Sequence, residues 1–131
     1  MYLLDTNICI YAINRRSAPV MRRMVAAGRE GIAISSITAA ELAFGAVKSQ
    51  RAATRPNVET FLATLPVFDW GQAAVWHYAD ARLALERSGQ RIGERDLLIA
   101  AHALALGCIL VTNNLAEFTR VPGLRLENWV E

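Results

Sequence analysis

The 131-residue sequence lacks the features that mark disulfide scaffolds, cysteine-based metal sites and membrane spans. Its two cysteines, Cys9 and Cys108, form no CxxC motif, so we expect reduced core thiols and neither a zinc site nor a disulfide. No apolar run reaches the roughly 18 residues of a membrane span, so we expect no membrane partner. No basic region precedes an apolar stretch at the N-terminus, which predicts a cytoplasmic protein without a signal peptide.

Several catalytic motifs are absent as well. The sequence has no glycine-rich phosphate loop of the P-loop or dinucleotide type and no G-x-S-x-G nucleophile elbow. The segment Asp5-Thr6-Asn7 lacks the second aspartate, two residues on, that an aspartyl-phosphatase uses as its acid. His77 and His102 make no metal pair with either cysteine, and we expect a structural role for His102.

What the sequence does contain is an alternation of short apolar runs and helical stretches. Apolar residues make up 53% of the chain, enough for the core of one domain over residues 1–131. Runs without polar alternation are typical of parallel strands covered on both faces. The pattern predicts a three-layer α/β/α domain with a mostly parallel central sheet, with strands at residues 3–4, 32–34, 67–68 and 108–111 and helices at 8–14, 19–28, 38–49, 56–65, 72–88 and 96–106.

Two local patterns make finer predictions. Thr38 and Glu41 have the spacing of a capping box, in which the glutamate reaches back to the first residue of the helix. Within residues 72–88, an apolar stripe predicts the buried face of that helix; the stripe consists of Val75, Trp76, Ala79 and Leu83.

Four acidic residues stand where an apolar strand gives way to a helix, or in the first part of an apolar helix: Asp5, Glu41, Asp96 and Glu117. Because the carboxyl ends of parallel strands meet at one sheet edge, we expect these side chains to converge. Carboxylates at close range repel one another, and a hard divalent cation such as Mg²⁺ or Mn²⁺ is the usual compensation. The sequence therefore predicts a metal site suited to phosphodiester chemistry.

Each acid also has a purely local interpretation. Asp5 and Asp96 are possible helix caps, Glu41 fits the capping box, and Glu117 fits a surface position beside the core residue Phe118. Four acids at four such junctions favour a shared site over four unrelated caps.

The net charge of +2 gives little indication of a nucleic-acid partner, but arginines cluster early in the chain. A basic cluster beside an acidic metal site is what a phosphate-backbone substrate requires. The alternative is an ordinary solvated helix face. The RNA-contact hypothesis concerns Arg15, Arg16, Arg22 and Arg23, with Arg29 nearby.

Four segments in order resemble the PIN-domain ribonucleases, and most closely the VapC toxins of type II toxin–antitoxin pairs. They are LLDTN at residues 3–7, ISSITAAEL at 34–42, IG followed by DLLIAAHA at 92–103, and VTNN followed by EF at 111–118. Each segment alone is a weak signal, whereas their order and spacing over nearly the whole chain are specific.

The resemblance implies that Asp5, Glu41 and Asp96 are metal-site acids. Many PIN domains have an aspartate where this chain has the neutral Asn114, which leaves Glu117 as the candidate for the fourth acid and leaves the number of metal ions open. The same resemblance implies polar supporting roles for a further set of residues: Thr6, Asn7, Thr112 and Asn114.

The predicted function is therefore that of a Mg²⁺- or Mn²⁺-dependent endoribonuclease, the toxin of a toxin–antitoxin pair. The resemblance implies a structured RNA substrate, often tRNA, and a VapB antitoxin whose C-terminal tail covers the site. It also implies a homodimer and a toxin–antitoxin hetero-oligomer. Two other classes stay open at this point: a PIN-like module that binds or regulates RNA without cleaving it, and a metal-dependent phosphatase or receiver-like phosphoacceptor domain.

Overall fold

The computed structural model describes residues 1–28 and 30–130, so Arg29 lies outside the described residues. Five parallel strands form one sheet in the order β3-β2-β1-β4-β5. The strands are β1 Tyr2–Leu4, β2 Ile32–Ser35, β3 Val67–Phe68, β4 Ile109–Val111 and β5 Leu126–Glu127. The helices are α1 Thr6–Asn14, α2 Ala18–Ala27, α3 Ser36–Lys48, α4 Thr54–Thr64, α5 Gln72–Ser88, α6 Glu94–Leu106 and α7 Leu115–Phe118.

Helices cover both faces of this sheet, which confirms the predicted three-layer architecture. Successive strand residues point to opposite faces, and in β1 both Leu3 and Leu4 are fully buried. Leu4 packs in a core with residues of α1 to α4 and Trp129. Leu3 packs in a second core with residues of α5 and α6 and Phe118. Strands this short are therefore stabilised by apolar contacts on both sides.

The four predicted strands and the six predicted helices are all present, with ends shifted by a few residues. β5 and α7 were not predicted, because each is at most four residues long and too short for a periodic pattern. Cys9 and Cys108 are buried free thiols, as expected. None of the described helices combines the length and apolar character that crossing a membrane requires.

Two of the finer predictions are wrong. Ser35, not Thr38, caps α3, since its hydroxyl accepts a hydrogen bond from the Ile37 amide at 3.1 Å. On α5, the predicted apolar stripe faces outward, with Trp76 76% exposed. The buried face of α5 instead consists of Ala74, Ala81 and Leu85.

Candidate metal centre at the carboxyl edge of the sheet

Asp5 lies at the middle of the sheet edge, immediately after the central strand β1. Its amide donates to the Val111 carbonyl at 2.9 Å, which continues the pairing with β4. One carboxylate oxygen, Oδ1, accepts from the Thr6 amide at 2.8 Å at the start of α1, and Oδ2 accepts from the Thr112 hydroxyl at 2.8 Å. Asp5 is only 5% exposed, so two donors hold a nearly buried carboxylate in one orientation.

Glu41 reaches the same edge from the second turn of α3. Its Oε1 accepts from the Thr6 hydroxyl at 2.8 Å, and its Oε2 pairs with Nε of Arg95 at 3.3 Å. The side chain therefore points toward α1 and α6, and not back to the start of its own helix. The capping-box interpretation of Glu41 is wrong for this reason.

Asp96 and Glu117 form a hydrogen-bonded carboxyl pair at the starts of α6 and α7. The pKa of Asp96 is raised from 3.8 to about 7 by burial, then by the hydrogen bond to Glu117 and by the negative charges of Asp5, Glu117 and Glu41. The pKa of Glu117 is lowered, first because Asp96 donates to it. Below about pH 7 the pair therefore retains one proton, which the two carboxyl groups share.

Asn114 is the neutral residue at the position where the resemblance led us to consider a fourth acid. Its side-chain and backbone N–H groups both donate hydrogen bonds in the site. Its side-chain Nδ2 donates to Oε2 of Glu117 at 3.0 Å, and its backbone amide donates to the Thr112 hydroxyl at 2.9 Å. Thr112 is completely buried and in turn donates to Asp5. Asn114 and Thr112 therefore connect the carboxylates of Glu117 and Asp5 in one chain of hydrogen bonds.

All four predicted acids act on one another electrostatically. Burial raises the pKa of Asp5, the hydrogen bonds from Thr112 and Thr6 oppose that rise, and the charges of Glu41 and Glu117 add to it. In the part of the chain that the structure describes, no three Asp, Glu, His or Cys side chains stand in the close arrangement of an assembled metal site. The donor chemistry nevertheless fits a hard divalent cation, because all four candidate ligands are carboxylates and the site raises the pKa values of Asp5 and Asp96.

The structure does not connect Asn7 or the four predicted RNA-binding arginines with the acids by a described polar contact. Asn7 is exposed in the first turn of α1, and no side-chain hydrogen bond of Asn7 is present among the described residues. The four arginines predicted to bind RNA are exposed at the end of α1 and on α2, and Arg23 pairs with Glu127 at 3.7 Å. None of the described polar contacts joins these arginines to the four acids.

Arg95 is the basic residue that the structure places against Glu41, and the sequence analysis missed it. Its position beside Asp96 in the first turn of the buried helix α6 was the available signal. The reason it was missed is that a single arginine next to an acid does not stand out among 14 basic residues.

His102 has the structural role expected of it. Its Nδ1 lies 2.8 Å from the hydroxyl of Ser35, the residue that caps α3, and the ring is 3% exposed. Burial lowers the pKa of this imidazole, which favours the neutral ring at neutral pH. His102 thus fixes the start of the helix that carries Glu41.

Replacement of Thr112 by the isosteric valine tests whether the buried hydroxyl holds Asp5. We expect a stability loss of about 1–3 kcal/mol, because the Asn114 amide loses its acceptor and Asp5 loses a donor. Groups that hydrogen-bond to metal ligands typically contribute ~10–100-fold to activity or metal affinity, and we expect a loss in that range. Thermal melts and RNA cleavage rates measure the two effects.

Thr64→Val is the control for that experiment, since Thr64 is an exposed threonine that donates to a carbonyl at the end of α4. It should leave cleavage unchanged. Wild-type melting and cleavage in Thr112→Val would show that the hydroxyl does not hold Asp5.

Comparison with known proteins agrees with the geometry. Residues 2–124 match the family model described as PIN domain. The chain is 44% identical to Ribonuclease VapC2 of Rickettsia felis over 98% of both chains, and 43% identical to the tRNA(fMet)-specific endonuclease VapC of Shigella flexneri over 98% of this chain and 97% of the relative. A crystal structure of VapBC2 from Rickettsia felis bound to a promoter DNA fragment superimposes with a TM-score of 0.93 at 42% identity, covering 98% of each chain.

Proposed function

This chain belongs to the PIN-domain family and, within it, to the VapC proteins, and from this premise we propose that it is an endoribonuclease and the toxin of a toxin–antitoxin pair. The observation that carries the proposal is the convergence of Asp5, Glu41, Asp96 and Glu117 at one sheet edge, where burial and mutual charge raise the pKa of two of them. Such a site has the donors for a cation and stands at the place where open parallel sheets bind ligands.

Asp5, Glu41, Asp96 and Glu117 are proposed to hold Mg²⁺ or Mn²⁺. When bound, such an ion would act as a Lewis acid toward the phosphodiester and would lower the pKa of water in the site. Thr6 and Thr112 keep the carboxylate of Asp5 aimed into the site. The proton retained by the Asp96–Glu117 pair must leave before both of its members can act as ligands, so metal affinity should rise with pH through neutrality.

The substrate is proposed to be tRNA. Relatives from Shigella flexneri and Salmonella typhimurium, 43% and 40% identical, carry the name tRNA(fMet)-specific endonuclease. Contacts of Arg15, Arg16, Arg22 and Arg23 with the RNA backbone stay a prediction. The non-cleaving alternative is less favoured, because a pure binding module gains nothing from carboxylates that repel RNA.

The proposed partner is a VapB-type antitoxin, as in the toxin–antitoxin complexes of Rickettsia felis and Salmonella typhimurium. An apolar groove of about 350 Å³ between α1, α3 and α4 adjoins Glu41. A partner segment in this groove would reach the acids and cover them. The groove is lined by Ile10, Ile13, Leu42, Ala46 and Val58, among others. A homodimer stays a prediction.

Cleavage of purified tRNA(fMet) and an elongator tRNA tests the proposal. With Mg²⁺ or Mn²⁺ we expect discrete fragments, whereas EDTA or an added VapB-type partner should stop cleavage. An Asp96→Asn preparation controls for contaminating nuclease. Equal cleavage in EDTA would contradict the metal centre, and RNA that is bound but never cut would favour the non-cleaving module.

A further inference from the structure

A pocket of about 430 Å³ opens beside Glu41, between α3 and the start of α6. It shares Glu41 with the site already described, and its volume falls within the roughly 300–1,000 Å³ of small-molecule sites. Its walls combine apolar side chains with one aromatic ring and one cation. They are formed by Thr6, Ile37, Ala40, Phe44, Arg95 and Leu98.

Phe44 presents an aromatic ring in this pocket. It is 66% exposed although it lies one turn after Glu41 on α3, and residues three apart on a helix are neighbours on its surface. Stacking of a base on an exposed aromatic ring contributes to the binding of unpaired nucleotides whatever the sequence. A base on Phe44 would therefore lie beside the carboxylate of Glu41.

Arg95 supplies a positive charge in the same pocket and contacts Glu41. Its side chain is 73% exposed, so its ion pair with the partly buried Glu41 at 3.3 Å is open to solvent on the arginine side, and such pairs contribute little to stability. Glu41 also accepts from the Thr6 hydroxyl, so it stays in place when Arg95 leaves. Arg95 is thus free to exchange a carboxylate for a phosphate at little cost.

We propose that this pocket binds the nucleotide that flanks the cleaved phosphodiester, with its base stacked on Phe44 and its phosphate paired with Arg95. The proposal rests on the proposed endoribonuclease function. Charge complementarity favours this occupant, because an acidic centre repels RNA and an exposed cation at its rim brings one phosphate into range. Phe44 and Arg95 are positioning residues here, since neither has to touch the bond that is cut.

Phe44→Ala and Arg95→Ala test the two halves of the pocket by binding of fluorescein-labelled tRNA(fMet) in EDTA at several salt concentrations. Phe44→Ala should weaken binding about five-fold or more at every salt concentration, because stacking is not ionic. Arg95→Ala should reduce the steepness of the log–log salt dependence by about 0.7, the value for one phosphate contact on a single strand.

Matched control variants are available outside the pocket. Val47→Ala removes a 73% exposed apolar residue one turn beyond Phe44, and Arg82→Ala removes an arginine from an exposed pair with Glu86 at 2.8 Å. Both controls should bind RNA like the wild type. In Mg²⁺ the test variants should raise KM with little change in kcat, because the contacts they remove are equal in the ground and transition states.

The possible outcomes distinguish a failure of the proposed nucleotide pocket from a failure of the proposed endoribonuclease function. Wild-type cleavage of tRNA(fMet) together with wild-type binding and KM in both variants would overturn the nucleotide pocket and leave the endoribonuclease standing. A Phe44→Ala protein that becomes monomeric where the wild type is dimeric would assign the ring to a second copy of the chain and overturn the proposal. A wild type that neither binds nor cleaves any tRNA would contradict both proposals.

Discussion

Asp96→Asn should abolish RNA cleavage and, in metal-free buffer, make the folded protein more stable. Activity should fall by more than about 100-fold, because even groups that only hydrogen-bond to metal ligands contribute ~10–100-fold. Above about pH 7, where Asp96 is ionised, stability should rise because the substitution removes a negative charge from a site that three other carboxylates share with it. For a domain of this size, each ~1 kcal/mol gained raises Tm by about 3–5 °C.

The pH dependence of this stability gives a sharper signature. The pKa of Asp96 is about 7 in the folded protein, against 3.8 as its ordinary value, so the folded state binds its proton more tightly than the unfolded state. Stability in EDTA should therefore fall as pH rises from about 4 to about 7, and should change little through Asp96 outside that window. Asp96→Asn should flatten this part of the curve, which thermal melts at a series of pH values measure.

Asp80→Asn is the control, since Asp80 is an exposed acid on α5 outside the site. It should change neither cleavage nor the pH profile. An Asp96→Asn protein that melts lower than the wild type at pH 8 in EDTA would favour the helix-cap role of Asp96. Retained cleavage in that variant would contradict its role as a metal ligand.

The position of Asp5 and Thr112 could be predicted because it follows from general geometry. Parallel strands place their carboxyl ends at one edge, and each of these residues comes directly after a strand that the apolar pattern identifies. The same reasoning brought Asp96 to that edge through the start of the buried helix α6. Because β1 and β4 are neighbours in the sheet, the same placement brings the Thr112 hydroxyl within hydrogen-bond distance of the Asp5 carboxylate.

The buried face of α5 could not be predicted from the spacing of large apolar residues, because two of its three buried residues are alanines. α5 packs against α6, and Ala81 and Leu85 of α5 lie in the same core as Ala100 and Ala103 of α6. Alanines let two helices approach closely, so the larger Trp76 is left on the outer face. A pattern that counts only large apolar residues therefore assigns the wrong side of this helix.

The role of Glu41 was ambiguous in the sequence because its spacing from Thr38 fits a cap as well as a site. The start of α3 resolves the ambiguity: Ser35 provides the cap, three residues before the predicted cap Thr38. What directs Glu41 is a hydroxyl 35 residues earlier in the chain and a guanidinium far later. Contacts at such separations leave no trace in local spacing.

Glu41→Gln should consequently cost activity and leave stability nearly unchanged. The amide oxygen can still accept from the Thr6 hydroxyl, and the lost pair with Arg95 is exposed, so we expect a stability change below about 1 kcal/mol. The amide carries no charge to offset a divalent cation, and cleavage should fall by more than about 100-fold, beyond the ~10–100-fold typical of groups that only support a ligand. Melts and single-turnover cleavage at saturating RNA measure the two effects.

Arg95→Ala is the natural comparison for Glu41→Gln, because it breaks the same ion pair and keeps the carboxylate. If Glu41 acts as a metal ligand, Arg95→Ala retains kcat at saturating RNA while Glu41→Gln loses it. Binding of Mn²⁺ without RNA should also diverge, with weaker binding in Glu41→Gln and equal or tighter binding in Arg95→Ala, which lacks a competing cation. Equal losses of kcat in the two variants would instead show that the ion pair itself, and not the carboxylate, is what the reaction requires.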